Sequence, residues 1–187
     1  DGIMVARGDL GVEIPYEELP PIQKQLIQLC LKRGKFVVTA TEMLESMTTK
    51  PRPTRAEISD VANAVYDGSS AIMLSGETAA GQYPVEAVQA MSRIAIRTEE
   101  YISYEKRFRN TDFRLYHYND AMSHGACALA IDTKVSAIVV CTLSGDTARQ
   151  VSRFRCPKPI IGMTTKRKVW NQLSLAWNVQ PAMSEQF

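Results

Sequence analysis

Histidine is nearly missing from this chain. Only His117 and His124 occur in 187 residues, and the four cysteines, Cys30, Cys127, Cys141 and Cys156, form no C-x-x-C pair. No zinc-site spacing is therefore present, and the thiols read as free groups in a reducing compartment, three of them in or beside apolar runs and Cys156 in a basic, proline-flanked turn. Excess charge is missing too. Lys and Arg number 22 against 20 Asp and Glu, a net +2, which gives no strong field for nucleic acid or an anionic membrane. The basic runs Lys106–Arg109 and Lys166–Lys168 are short and read as solvated helix ends. No apolar stretch is long enough to cross a bilayer, and no signal-peptide pattern is expected in these residues. A Walker-type loop is lacking, because Ser75–Gly81 carries glycine without the G-K-[ST] end. No Ser-His-Asp arrangement is evident. There is no initiator methionine, and the start at Asp1, almost inside an apolar strand, leads us to expect a segment of a longer protein.

Three short apolar runs are present: Gly2–Ala6, Phe36–Ala40 and Ala71–Ser75, with starts 34 (36 − 2) and 35 (71 − 36) residues apart. Continuous apolar runs of this length are how strands of a parallel sheet read when both faces are covered. A helical pattern follows each. The first covers Pro21–Lys32, with Ile22, Leu26, Leu29 and Cys30 as its stripe and Gly34 closing it. The second covers Thr54–Tyr66, with Thr54 and Glu57 as a capping box and Ile58, Val61, Ala62 and Val65 as the stripe. The third starts at Pro84 and runs through Val85, Val88, Met91, Ile94 and Ala95 toward Tyr101.

Residues 1–104 thus read as three β/α units, part of a TIM-type (β/α)8 barrel or of a doubly wound sheet. Three strands alone would leave two bare edges, an aggregation liability. Residues 105–118 are charged and aromatic without a period and read as a linker. Residues 119–187 read as part of a second α/β domain, with helices at Asp120–Ile131, Gly145–Phe154 and Lys168–Trp177 and strands at Ser136–Cys141, Pro159–Met163 and near Val179.

Catalytic groups of barrel enzymes lie at the carboxyl ends of strands. After the first strand comes Arg7-Gly8-Asp9-Leu10-Gly11. Asp9 either ligates a hard divalent cation or caps a short helix, and the amides of Gly8 and Asp9 could cradle an anion. One carboxylate is not a magnesium site, since the ion is octahedral and wants further oxygens. After the second strand, Thr41 either touches substrate or caps locally. Glu42 and Glu77 are expected to pair with arginines such as Arg52 or Arg55. Thr142-Leu143-Ser144-Gly145-Asp146-Thr147 joins a strand to a helix as a candidate phosphate loop. Asp146 opposes an anion there and reads better as a first-turn acid favoured by the helix dipole.

Four ordered strings resemble the pyruvate kinase family. Asp1–Glu13 is similar to its sixth barrel strand and active-site turn, and Thr39–Met47 to its seventh strand end. Pro53–Glu57 with Asp60–Ala64 resembles its seventh helix, and Met73–Ala79 its eighth strand. The resemblance continues through the second region and covers nearly the whole chain. It implies the last three β/α units of the barrel followed by the start of the carboxyl-terminal regulatory α/β domain. The activity implied is phosphoryl transfer from phosphoenolpyruvate to ADP, giving pyruvate and ATP in glycolysis.

Residue by residue, the resemblance implies that Asp9 ligates Mg2+ or Mn2+. Gly8 and Asp9 offer backbone donors to the substrate carboxylate, and Thr41 is a substrate-contacting hydroxyl on the proton-delivery side. Arg7 and Arg55 fall in segments that meet a neighbouring subunit of a homotetramer. Thr142, Ser144, Gly145 and Thr147 match the place where a phosphorylated sugar binds allosterically. Glu42 stands where glutamine or asparagine is commoner, and Asp146 where a basic or neutral residue is usual. The family's catalytic lysine, second metal-binding carboxylate, K+ ligands, nucleotide-contacting arginine and lid domain match nothing in this chain, so the chain alone is expected to be inactive. A cytoplasmic location is implied. A non-catalytic assembly or regulatory module derived from the family is the alternative. A third reading is another magnesium-dependent barrel enzyme acting on phosphoenolpyruvate or an α-keto acid; the seventh-strand and helix strings argue against it.

Overall fold

A computed structural model describes residues 1–111 and 113–186, so that Asp112, inside the expected linker, and Phe187 lie outside the described residues. The chain divides into two compact units: Asp1–Cys30 with Phe36–Ile102, and Leu31–Lys35 with the described residues from Ser103 onward.

The first unit is built on a parallel three-stranded sheet in sequence order: β1 (Gly2–Ala6), β2 (Phe36–Ala40) and β3 (Ala71–Ile72). Gly2 pairs with Phe36 and Ala6 with Ala40, which brings the carboxyl ends of β1 and β2 level. Helix α1 (Arg7–Glu13) follows β1 directly, and α2 (Leu19–Lys32) returns to β2. Pro20 and Pro21 sit in the first turn of α2, where a missing N–H costs nothing because those donors have no intrahelical partner. Gly34, at φ 61°, turns the chain after α2. Helix α3 (Arg55–Asp67) carries the expected capping box at Thr54 and Glu57 and ends on left-handed Gly68. A short α4 (Gly76–Ala79) and then α5 (Pro84–Glu99) complete the unit.

The buried stripes differ from those expected. In α2 the buried residues are Gln23, Ile27 and Cys30, while Leu29 is exposed. In α5 they are Ala87, Ala90, Met91 and Thr98, with Val85 and Val88 outside; in α3 they are Val61 and Ala64, with Ile58 exposed. Small residues let α3 and α5 pack closely, so alanines rather than the larger valines form the seam. The core gathers Met43, Leu44 and Met47 between these helices, against Val61, Ala64, Ala87, Ala90 and Met91. The chain just beyond β2 is thus anchored by three fully buried side chains, each worth about 1.5–3 kcal/mol of burial. Strand β3 is shorter than the expected Ala71–Ser75, because after the Met73 N–H bond to Thr39 O the chain turns so that the Ser75 amide reaches Glu77.

The second unit repeats the pattern with β4 (Ile138–Cys141), β5 (Ile160–Thr164) and β6 (Val179–Met183), parallel and again in sequence order. Helix α7 (Tyr118–Asp132) precedes β4; α8 (Asp146–Arg153) and α9 (Arg167–Leu173) connect the strands. The expected linker holds a helix, α6 (Tyr104–Asn110), capped by the Ser103 hydroxyl. Its one buried side chain, Phe108, stacks on His124 at 4.8 Å, which is too little apolar periodicity to show in a sequence. His124 also meets Phe113 and Phe154, and burial together with the nearby Arg153 charge holds it below the ordinary imidazole range. Among the described residues, no helix is long and apolar enough to cross a membrane.

Candidate active site

The ends of β1 and β2 meet through one side chain. Arg7 is 8% exposed, and its Nη1 donates to both carboxylate oxygens of Asp60 on α3, at 2.8 and 2.6 Å. Its Nε and Nη2 reach the Thr41 carbonyl, and Nε also reaches that of Ala40 at 3.2 Å. Arg7, expected at a subunit surface, is thus drawn inside the chain, because the fork of a guanidinium can satisfy a carboxylate and two carbonyls at once. Arg55 stays exposed at the start of α3.

The held carbonyl belongs to a strained turn. Thr41 and Glu42 lie at φ 69° and φ 51°, a region that L residues seldom occupy and that disfavours β-branched threonine most. Such backbone costs about 1–3 kcal/mol per residue and persists only where the surroundings over-determine it. Here they do. Besides Arg7, the buried carboxylate of Glu77 accepts from the amides of Leu44 at 3.0 Å and Ser75 at 2.7 Å. Glu57 accepts from the amide and hydroxyl of Ser46 at 2.7 and 2.6 Å, and from the amide and hydroxyl of Thr54. Glu77 therefore anchors amides instead of pairing with an arginine, since the residues it faces are backbone N–H groups. Glu42 is exposed.

Burial alone would raise the pKa of Glu57, but the hydrogen bonds from Ser46 and Thr54 together hold it below its ordinary value of 4.5. The folded state binds that proton more weakly than the unfolded chain. The stability it contributes is complete above about pH 4.5 and is lost as pH falls through the lower folded value. Glu57→Gln is expected to cost about 1–2 kcal/mol at pH 7. Urea unfolding should show the gap from the parent narrowing in acid; a gap independent of pH would refute the ionised cap.

Gly8 and Thr41 are brought together. The Gly8 N–H donates to Thr41 Oγ1 at 2.8 Å, so the Thr41 hydroxyl keeps its own proton to give elsewhere. That amide, expected to hold a substrate carboxylate, is engaged by Thr41 in this structure. Asp9 is exposed in the first turn of α1. The cap position of α1 is Ala6 and no side chain caps it, so Asp9 is not a cap. Its carboxylate has no protein partner among the described residues. Nor do those residues gather three or more His, Cys, Asp or Glu into a metal-binding group. The donor set therefore fits one corner of a divalent-cation site and no more.

In the second unit, the Gly145 N–H donates to Thr142 Oγ1 at 2.9 Å and the Asp146 N–H to Ser144 Oγ at 3.3 Å, while Thr142 is buried. Gly145 sits at φ 81°, and a Cβ there would come within 3.2 Å of Val169 Cγ1, so a side chain at this position would be strained. Ser144 and Thr147 remain exposed, and Asp146 pairs with Arg149 at 3.4 Å.

What sequence reading missed are Asp60, Ser46 and the inward roles of Arg7 and Glu77. The available signal was the placement of Glu57 and Asp60 one turn apart on the flank of a helix whose apolar side is buried.

These turns, set on the level ends of parallel strands that alternate with helices, define a parallel β/α-repeat segment of the kind found in α/β barrels, followed in the chain by a separate parallel α/β unit. The family model described as pyruvate kinase, barrel domain, matches residues 1–88, and the one described as pyruvate kinase, alpha/beta domain, matches residues 120–187. The chain is 50% identical to a pyruvate kinase of Clostridium acetobutylicum, over 100% of this chain and 40% of that protein. It is 52% identical to one of Sporosarcina psychrophila, over 99% of this chain and 32% of that protein. A crystal structure of a pyruvate kinase from Cryptosporidium parvum superposes with a TM-score of 0.95 at 44% identity, covering 100% of this chain and 38% of the other. The chain belongs to the pyruvate kinase family. It spans about a third to two fifths of the length of these relatives.

Proposed function

We propose that this chain supplies part of the site at which a phosphoryl group passes from phosphoenolpyruvate to ADP, giving pyruvate and ATP in glycolysis. The observation that carries the reading is the strained Thr41 turn, bonded through its hydroxyl to Gly8 and set beside Asp9, which has no partner among the described residues. Asp9 would hold one face of Mg2+ or Mn2+, which when bound offsets negative charge on substrate oxygens. K+ belongs to the same reading, with no ligand for it assigned in this chain. The turn orients the three-carbon acid against that corner, and such positioning is the larger part of phosphoryl-transfer catalysis. When the P–O bond has broken, the enolate left behind needs a proton at carbon. The Thr41 hydroxyl, its oxygen fixed by the Gly8 amide, gives a proton or holds the water that does.

The regulatory part of the proposal places a phosphorylated sugar on the exposed Ser144 and Thr147 hydroxyls, with Thr142 and Gly145 shaping that turn. Arg55 is assigned to a contact in a homotetramer, and the location to the cytoplasm. The test is coupled ATP formation from phosphoenolpyruvate and ADP with Mg2+. A protein of the relatives' length that contains this chain should be active, and the 187 residues alone silent. Silence of both would sink the catalytic reading and favour a non-catalytic assembly or regulatory module.

A further inference from the structure

One carboxylate ties the ends of two neighbouring strands together. Strands β2 and β3 run parallel with Thr39 opposite Ile72, and the Met73 N–H reaches the Thr39 carbonyl at 3.0 Å. Beyond that point both segments leave the sheet. Glu77, fully buried in the first turn of α4, bridges them. Its Oε1 accepts from the Leu44 amide at 3.0 Å, three residues (44 − 41) past Thr41. Its Oε2 accepts from the Ser75 amide at 2.7 Å, three residues (75 − 72) past the end of β3. A second strap lies beside the first. The Gln82 N–H donates to the Thr48 carbonyl at 2.8 Å, and a Cβ on Gly81 would meet the Glu77 carbonyl oxygen at 2.4 Å and Thr48 Cα at 3.2 Å. The segment after β2 and the α4 turn therefore pack backbone against backbone. Arg7 holds the Thr41 turn by its carbonyl, and Glu77 holds the same segment by an amide.

We propose that Glu77 is a positioning residue for the reaction of phosphoenolpyruvate, an inference that rests on the function proposed above. It sets the Thr41 turn at a fixed distance from the end of β3, which holds the Thr41 hydroxyl where the enolate carbon needs its proton. The choice of side chain supports this. Both partners of Glu77 are backbone donors, so both of its oxygens must accept. A carboxamide of the same size offers one acceptor and one donor, and an apolar side chain offers neither. Keeping a carboxyl group fully out of water is costly unless its hydrogen bonds are made, so the arrangement tolerates little displacement of either amide. Glu77 itself, being fully buried, touches no substrate and acts only through the two segments it joins. The Thr41 hydroxyl works after the P–O bond has broken. Loss of its placement should therefore lower kcat and leave the KM for phosphoenolpyruvate near its parent value.

The test uses a protein of the relatives' length that contains this chain. Glu77→Gln keeps the size of the side chain and turns one acceptor into a donor facing an N–H. In coupled ATP formation its kcat should fall about tenfold to a hundredfold, with the KM for phosphoenolpyruvate changed by less than about threefold. Val61→Ala is the control, because it removes volume from the same core and no hydrogen bond. It should lower the unfolding temperature and keep its kcat when assayed well below that temperature. Full kcat in Glu77→Gln, or an equal loss in both variants, would overturn the proposal and leave Glu77 a residue of stability alone. If Glu77→Gln does not fold, Glu77→Asp keeps the charge but is one methylene too short to span both amides, and the same split is expected. Hydrogen exchange read by mass spectrometry gives a measure independent of activity. The Leu44 and Ser75 amides should be protected in the parent and exchange faster in the Glu77 variant than in Val61→Ala; rapid exchange of both in the parent would overturn the proposal. A silent parent would sink the catalytic reading and this inference with it, whereas an active parent with unaffected Glu77 variants would sink the inference alone.

Discussion

Asp9→Ala is expected to lower turnover by on the order of a hundredfold to a thousandfold in a protein of the relatives' length that contains this chain, because the role proposed for Asp9 is that of a direct metal ligand. The Mn2+ concentration required for half-maximal rate should rise in parallel. Stability should move by no more than about 0.5 kcal/mol, since Asp9 is exposed, caps nothing and has no partner among the described residues. That separation is what makes the substitution informative. A loss of rate with unchanged metal dependence would mean that Asp9 acts in some other way, and near-normal rate with near-normal metal dependence would remove it from the site.

Arg7→Met should have the largest effect on the fold. It removes the bidentate contact to Asp60 and the donors to the Ala40 and Thr41 carbonyls, and it leaves a carboxylate without its partner. Breaking a fully buried pair in this way costs about 3–5 kcal/mol. Asp60 retains 35% exposure, so water partly replaces the lost charge and the expected loss is about 2–4 kcal/mol. Arg7→Lys should recover little of it, because one ammonium cannot reach the carboxylate and both carbonyls together. Arg7 acts here as a positioning residue for Thr41. Turnover at saturating substrate, measured well below the unfolding temperature, should therefore stay low in Arg7→Met even though the protein is folded. Full turnover there would show that the clamp serves stability alone.

The β/α alternation, the parallel character of the strands and the capping box were all legible along the chain. Continuous apolar runs, a 3.6-residue period and the Thr54/Glu57 spacing are local properties that survive without knowledge of neighbours. The stripes were less legible. Apolar size suggested Val85, Val88 and Leu29 for the interior, whereas close helix packing selected Ala87 and Ala90. Helix α6 escaped because a single phenylalanine anchors it.

The candidate site divides along the same line. Asp9, Gly8 and Thr41 announced themselves by residue type at strand ends, and the strings around them carried the family. The sequence by itself determined which chemical groups are present and on which strands they end. Only the tertiary structure decided that Gly8 bonds Thr41, that Arg7 turns inward to Asp60 and that Glu77 holds two amides. These contacts join residues 33, 53 and 33 positions apart for the first three, and local propensity carries no information at such separations. The left-handed turn at Thr41 is the clearest instance. Its residues would avoid that backbone in isolation, and it exists because packing and hydrogen bonds from distant segments outweigh the strain.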